Sequence, residues 1–181
     1  AVTKTLINSA NNIGAPLFFV NNDKKIIVYN NVFGDRQREN ANLAISVIKK
    51  INGFEINNNA IKNGLNNIAW HGRNQFLQKT PPIIFDVAHN VESIRSFVDY
   101  YSSLNILGDS TLIIAIYFRK QIHNIIPLLE LAFHNIICTE ADIRHPMPAN
   151  ELANHFNVNH SVHIIRNPVS AIKKGLDNLT C

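Results

Sequence analysis

The chain of 181 residues is long enough for one full domain, or for one domain with part of another. Hydrophobic residues make up 46% and charged residues 17% of the sequence, as in packed globular proteins, and no apolar run approaches the roughly 20 residues of a membrane span. The net charge of +4 is scattered instead of clustered, which disfavours a nucleic-acid surface and suits anionic small substrates.

The two cysteines, Cys138 and Cys181, provide neither a disulfide framework nor metal-ligand spacing. Cys138 lies in an apolar run and is predicted to be a small buried side chain. The chain opens with Ala1 and its first residues are typical of the middle of a helix, so we expect it to be part of a longer chain.

The first third of the chain is predicted to be mostly helical. The predicted elements are a helix end at 4–12, short strands at 17–20 and 25–29, and helices at 36–51 and 58–65. Asp35 is expected to cap the longer helix. Residues 66–82 combine Trp70, Gly72 and Arg73 with two prolines, a composition that suits a crossover between domains.

After residue 82 the pattern becomes regular. Apolar runs typical of strands occupy residues 83–85, 112–117, 135–138 and 162–165. Amphipathic segments typical of helices follow them at 92–104, 123–132, 149–156 and 169–179. This alternation predicts an α/β fold with a Rossmann-like, mostly parallel sheet flanked by helices.

In an open α/β sheet, ligands bind beyond the carboxyl ends of the strands. The polar residues expected at those ends are Asp86, His89, Arg119, Lys120, Glu140, Arg144 and Arg166. Most of them are cationic, so we expect this edge of the sheet to suit phosphates and carboxylates.

The most informative segment places Trp70, Gly72 and Arg73 ahead of Asp86-Val87-Ala88-His89-Asn90. An arginine in a glycine-containing loop can reach a phosphate with two N–H groups, and an aspartate at a strand end can accept hydrogen bonds from ribose or orient the arginine. In the alternative interpretation Trp70 is a core residue, Asp86 a solvated strand end and Asn90 a helix cap.

The pattern Trp-x-Gly-Arg, a strand, and Asp-x-Ala-His-Asn resembles the start of the C-terminal domain of folylpolyglutamate synthases/dihydrofolate synthases, within the Mur ligase superfamily. Upstream, the run from Gly34 to Ala41 resembles that family's Gly-x-x-Gln-x-x-Asn-Ala. The resemblance implies that residues 1–67 are the end of the central P-loop ATP-binding domain and residues 68–181 the C-terminal, glutamate ligase domain.

The resemblance also implies roles for individual residues. Asn40 matches an adenine-contacting asparagine with Gln37 beside it, Arg73 a phosphate-binding arginine, and Asp86 a nucleotide-binding aspartate. His89 matches a histidine facing the active-site cleft, and is our candidate catalytic residue. The alternatives are a surface asparagine for Asn40 and a structural histidine for His89.

Two cationic residues match less closely. Lys120 is a candidate contact to the nucleotide or glutamate, although Gln121 replaces the family's aspartate. Arg144 is a candidate substrate contact or a solvated charge. Val87 and Val91 stand where the family often has glycine and proline, which affects the turn into the next helix.

The sequence has no Gly-x-x-x-x-Gly-Lys-Ser/Thr loop to hold the β- and γ-phosphates of ATP. The resemblance implies ATP and Mg²⁺ as cofactors, with the magnesium ligands upstream of this chain, and a cytoplasmic, monomeric enzyme that binds neither nucleic acid nor membrane. The small-molecule substrates implied are L-glutamate with dihydropteroate or folates.

Three other functions stay open from the sequence. One is a cell-wall Mur ligase that adds an amino acid, although Gln37, in place of that branch's commoner histidine, and the Trp70 motif favour the folate branch. Another is a non-catalytic, Rossmann-like nucleotide- or anion-binding domain. A nucleic-acid-binding module is the third.

Overall fold

The structure, a computed structural model, describes residues 2–20, 32–51, 53, 55–117 and 121–179. These residues belong to two compact units. The first unit comprises Ala1–Val32 and Gln37–Ile68, and the second comprises Phe33–Arg36 and Ala69–Cys181.

The first unit is helical in its described part. Its helices are α1 (Val2–Ile13), α2 (Asp35–Ile48, whose first two residues belong to the second unit) and α3 (Asn58–Asn66). Asn57 caps α3, because its side-chain oxygen accepts a hydrogen bond from the backbone N–H of Ala60 at 2.8 Å. A small core forms where partly buried hydrophobic side chains pack against Val32 and Ala41.

Two strands are expected in this unit, and the structure describes only the first of the two segments. The prediction at 17–20 is wrong, since these residues are irregular. A strand exists only through its pairing, and no strand among the described residues pairs with this segment. The predicted strand at 25–29 lies outside the described residues.

The first strands of the second unit form a two-stranded antiparallel hairpin. Strand β1 (Gln75–Lys79) pairs with β2 (Pro82–Phe85), and Gln75 lies opposite Phe85. The prediction that residues 83–85 form a strand is confirmed, but their assignment to the parallel sheet is wrong. The pairing partner is β1, within the stretch interpreted as a crossover. Asp86 and His89 therefore follow a hairpin strand.

A three-stranded parallel sheet forms the rest of the second unit. Its strands β3 (Thr111–Ile114), β4 (Asn135–Cys138) and β5 (Ser161–Ile164) pair in the order β3-β4-β5. The helices are α4 (Val91–Ser103), α5 (Ile122–Glu130), α6 (Ala149–Ala153) and α7 (Pro168–Asp177). The predicted α/β architecture with a parallel sheet flanked by helices is confirmed.

Burial explains this arrangement. Ile136, Ile137 and Cys138 on the central strand have no exposed surface, and Leu152 of α6 is equally buried. Both faces of β4 are covered, which accounts for its continuous apolar sequence. Asn167 caps α7 by accepting from the backbone N–H of Ser170 at 2.9 Å. No helix in the described ranges is long and apolar enough to span a membrane.

Candidate functional site

Asp86 holds the loop that carries Arg73. Its Oδ2 accepts a hydrogen bond from the backbone N–H of Asn74 at 2.7 Å, and its Oδ1 accepts from the N–H of Ala88 at 2.7 Å. The hairpin makes this possible, because it sets the start of β1 beside the end of β2. Asp86 thus orients the Arg73 loop through the backbone of Asn74. It is neither a merely solvated strand end nor an ion-pair partner of Arg73.

Gly72 fixes the other side of the loop. Its N–H donates to Oε1 of Gln75 at 2.9 Å, and its carbonyl accepts from the N–H of Val87 at 3.0 Å. The backbone on both sides of Arg73 is therefore held by hydrogen bonds. The Arg73 side chain is partly exposed and has no hydrogen-bond or ion-pair partner among the residues that the structure describes. A cationic group on a fixed backbone is well suited to an anion.

The neighbouring side chains separate the two interpretations of the motif. Trp70 is 55% exposed, so its assignment to the core is wrong. Asn90 does cap α4, since its side chain accepts from the N–H of Ser93 at 2.9 Å while the Ser93 hydroxyl accepts from the N–H of Asn90 at 3.1 Å.

His89 is exposed on the turn into α4. Its Nδ1 lies 3.1 Å from the carbonyl oxygen of Val87. A carbonyl can only accept a hydrogen bond, so Nδ1 carries the proton in this contact and Nε2 is left as the acceptor of the neutral ring.

Gln37 and Asn40 lie in the first unit, on the early turns of α2. Their side chains interact, as residues three apart on a helix can, with Nδ2 of Asn40 donating to Oε1 of Gln37 at 3.3 Å. Asn40 is exposed, and this contact leaves its Oδ1 and the second N–H of its amide available.

At the carboxyl edge of the parallel sheet, one of the predicted cations is paired within the described part of the chain. Glu140 lies 3.8 Å from Nε of Arg166 and also accepts from the N–H of Ala149 at 3.0 Å. Arg166 is thus partly neutralised. Arg144 is exposed and has no hydrogen-bond or ion-pair partner in the described part of the chain. Arg119 and Lys120 lie outside the described residues.

A cavity of about 240 Å³ lies elsewhere in the second unit. Its lining consists of His123, Ile126, Pro127, Glu130, His155, Phe156 and Asn157. None of the predicted site residues lines it. The His123 and His155 rings are 5.5 Å apart, but the described ranges contain no group of three or more histidine, cysteine, aspartate or glutamate side chains that could hold a metal ion.

Sequence reasoning missed Asn74 and Gln75, which build the Arg73 loop. Asn74 is 5% exposed and adopts a φ of 46°. Asparagine tolerates this left-handed region better than most residues. Gly72 and Asn74, on either side of Arg73, are residue types that favour a tight turn, and they could have indicated one here.

The fold is that of folylpolyglutamate synthase structures. A Mycobacterium tuberculosis folylpolyglutamate synthase complexed with ADP and AMPPCP superimposes with a TM-score of 0.86 at 17% identity, over 99% of this chain and 46% of that chain. E. coli FolC in complex with DHPP and ADP gives 0.80 at 18% identity, over 97% of this chain and 45% of that chain. These likenesses establish the architecture.

The sequence relatives agree. The dihydrofolate synthase/folylpolyglutamate synthase of Bacillus subtilis is 28% identical over 67% of this chain and 29% of its own length. The E. coli K12 protein of the same name is 26% identical over 64% of this chain and 27% of its own. No protein-family profile matches. The predicted resemblance to this family is confirmed, and the chain spans less than a third of these two relatives.

Proposed function

We propose that this chain is part of an ATP-dependent amide ligase that adds L-glutamate to dihydropteroate or to folate polyglutamates. The observation that carries the proposal is the Arg73 side chain, which has no partner among the described residues and lies on a loop fixed by Asp86, within the motif that resembles the synthases. The names of the similar proteins and the nucleotides bound in the similar structures support it.

The proposed reaction has two steps. A substrate carboxylate oxygen attacks the γ-phosphorus of ATP, the bond to the β–γ bridging oxygen breaks, and ADP leaves an acyl phosphate. The neutral amine of glutamate then attacks the acyl carbon, loses a proton, and expels phosphate to give the amide. The protein's main tasks are positioning and charge neutralisation between two anionic substrates.

Arg73 is suited to the phosphates of the nucleotide. Its guanidinium can donate two parallel hydrogen bonds to phosphate oxygens without first breaking an ion pair to any of the described residues. Asp86 would act mainly through the loop, although each carboxylate oxygen retains a lone pair that could accept from a ribose hydroxyl.

Within the first unit, Asn40 is suited to adenine. A carboxamide can accept from the exocyclic amino group of adenine while donating to its N7. The contact between Gln37 and Asn40 holds one N–H of that amide and thereby orients the rest.

The remaining polar residues have weaker support. His89 has an Nε2 able to accept a proton from the attacking amine, because its Nδ1 faces the carbonyl of Val87. Arg144, exposed and unpartnered among the described residues, could bind a glutamate carboxylate. Lys120 is retained as a contact to nucleotide or glutamate on its motif position alone.

The domain assignment belongs to the same proposal. Residues 1–67 would be the end of the ATP-binding domain and residues 68–181 the C-terminal domain of a cytoplasmic, monomeric enzyme. The ligands of the implied Mg²⁺ would lie upstream of this chain, and the described residues contain no group of three or more histidine, cysteine, aspartate or glutamate side chains that could hold a metal ion. With no P-loop in the sequence, the 181-residue chain alone would bind ATP weakly and catalyse nothing.

Calorimetric titration of the chain with ATP tests the nucleotide role of Arg73. Arg73→Ala should weaken binding about tenfold, the scale of one lost charge-assisted contact. Arg95→Ala is the matched control, because Arg95 is an exposed arginine on α4 whose removal changes the net charge equally. Equal losses in both variants would mean that only overall charge matters, and would contradict the proposal.

An activity assay tests the rest. The chain with dihydropteroate or tetrahydrofolate, ATP and glutamate should release no phosphate. Turnover by this chain alone would overturn the requirement for a P-loop elsewhere. Addition of amino acids to a nucleotide-linked peptide, by an enzyme that contains this sequence, would replace the folate assignment with the cell-wall one.

A further inference from the structure

We propose that Asn74 is a positioning residue that aims the Arg73 side chain by joining the Arg73 loop to the segment Phe33–Arg36. Both parts belong to the second unit. The inference rests on the proposed nucleotide role of Arg73, and it adds a residue to which the motif assigns no function.

Asn74 connects three parts of this unit. Its backbone N–H donates to Oδ2 of Asp86 at 2.7 Å, and its side-chain Nδ2 donates to the carbonyl oxygen of Phe33 at 3.2 Å. The Phe33 ring packs beside Phe76 of β1 and Tyr100 of α4, with centroids 6.3 Å away in each case. The side-chain bond of Asn74 therefore ties the loop to an aromatic cluster that spans the hairpin and α4.

Stability alone does not explain an asparagine here. The residue adopts a φ of 46°, is 5% exposed, and leaves its Oδ1 without a hydrogen-bond partner in the described part of the chain. A glycine would remove the backbone strain and the buried unpaired oxygen together, and would lose the 3.2 Å bond to the Phe33 carbonyl, so that bond is what the asparagine adds. A strained residue with an unpaired buried atom is a reason to look for a functional role.

The neighbouring glycine fits the same role. Gly34 adopts a φ of 82°, and a Cβ at this position would lie 3.0 Å from Nδ2 of Asn74. The absence of a side chain at Gly34 thus lets the Asn74 amide approach the backbone of the segment. Because Arg73 directly precedes Asn74, an anchored Asn74 restricts the directions in which the guanidinium can extend.

Two substitutions at Asn74 separate the side chain's role from that of the backbone conformation. Asn74→Gly keeps the positive φ and the N–H to Asp86 but removes the amide, whereas Asn74→Ala removes the amide and also strains the backbone. The control is Asn105→Gly. Asn105 has a φ of 49°, is exposed, and makes only a 3.4 Å side-chain contact to the Ser103 carbonyl.

The first measurement is ATP affinity by calorimetry. Asn74→Gly should weaken binding about three- to tenfold, and Arg73→Ala should then cost clearly less in the Asn74→Gly background than in the wild type. A loss of fold stability with no effect on Arg73 would instead give additive losses. The inference is overturned if Asn74→Gly binds like the wild type, or if the two losses add.

The second measurement needs no nucleotide. In ¹⁵N spectra of the chain, Asn74→Gly should shift the Phe33 and Gly34 amide signals and the Nε–H signal of Arg73, while Asn105→Gly should leave all three in place. If ATP does not bind at all, the proposed function fails and these shifts alone decide the inference. Unchanged signals in Asn74→Gly would overturn it.

Discussion

Gly72 leaves the space that the Val87 side chain fills, since a Cβ on Gly72 would lie 2.7 Å from Cγ1 of Val87. Gly72 also adopts a φ of 70°, which disfavours any side chain. We predict that Gly72→Ala destabilises the second unit by about 2–4 kcal/mol, by overpacking and backbone strain together. Urea denaturation followed by circular dichroism measures this loss.

A double-mutant cycle separates the two causes of the Gly72→Ala loss in stability, which are overpacking against Val87 and the positive φ. Val87→Ala removes Cγ1, so Gly72→Ala should cost only about 1–2 kcal/mol in that background, the part due to φ. An undiminished cost in the double variant would show that the contact between these residues contributes nothing to the loss.

Asp86 is predicted to be required for the shape of the loop as well as for any ligand. Asp86→Ala leaves the N–H groups of Asn74 and Ala88 without their acceptors, and should cost about 2–3 kcal/mol. Asp99→Asn on the exposed side of α4 should change stability by less than about 0.5 kcal/mol. Hydrogen exchange should accelerate specifically at the Asn74 and Ala88 amides. Unchanged protection at both amides would contradict the role of Asp86 in holding the loop.

Cys138 is predicted to be unreactive while the protein is folded. Burial raises the pKa of its thiol from 9.0 to about 12. In a Cys181→Ser variant, a thiol reagent at pH 8 should label Cys138 only after urea unfolds the chain. Rapid labelling without urea would show that β4 opens easily.

The same thiol makes stability depend on pH. The unfolded chain loses this proton near pH 9, whereas the folded chain keeps it to about pH 12. Stability should therefore fall as pH rises between these values, by about 1 kcal/mol per unit. Cys138→Ala should lack this component, so the difference between the two proteins' pH profiles isolates it. Parallel profiles above pH 9 would refute the assignment.

Gly175 of α7 packs against the Ile113 side chain of β3, as Gly72 packs against Val87. A Cβ on Gly175 would lie 2.7 Å from Cδ1 of Ile113, the flexible end of that side chain. Alanine favours a helix over glycine by about 1 kcal/mol, and Ile113→Val removes Cδ1. Gly175→Ala should therefore stabilise the Ile113→Val variant by about 0.5–1 kcal/mol, and the wild type by less, because there Cδ1 of Ile113 must move aside. Thermal melts of the four proteins check this, and an equal effect in both backgrounds would exclude the contact as the cause.

The parallel sheet is predictable because its strands are covered on both faces. Residues 136–138 form a continuous apolar run, and the observed β4 has the predicted bounds of 135–138. The hairpin is harder to predict because β1 contains only two apolar residues, Phe76 and Leu77. Its pairing depends on contacts distant in sequence, such as Phe33 with Phe76.

The candidate site also has features that the sequence predicts and features that it does not. The order of the motifs selects Arg73 and Asp86 as candidates, and their functional roles stay predictions. The bond from Asn74 to Asp86 depends on the register that sets Gln75 opposite Phe85, and no local pattern encodes that register. The paired state of Arg166 likewise depends on Glu140, which lies on a different strand end.

The hairpin's small size has a consequence for how the second unit loses its structure on heating. Two strands alone are marginally stable in water, and β1 and β2 form a sheet separate from β3, β4 and β5. The hairpin should open at a lower temperature than the parallel sheet melts, as a local unfolding event. The nucleotide binding proposed for Arg73 would then disappear before the helical signal does. The temperature limit of ligand binding would be set by a few residues around Phe76, not by the main core.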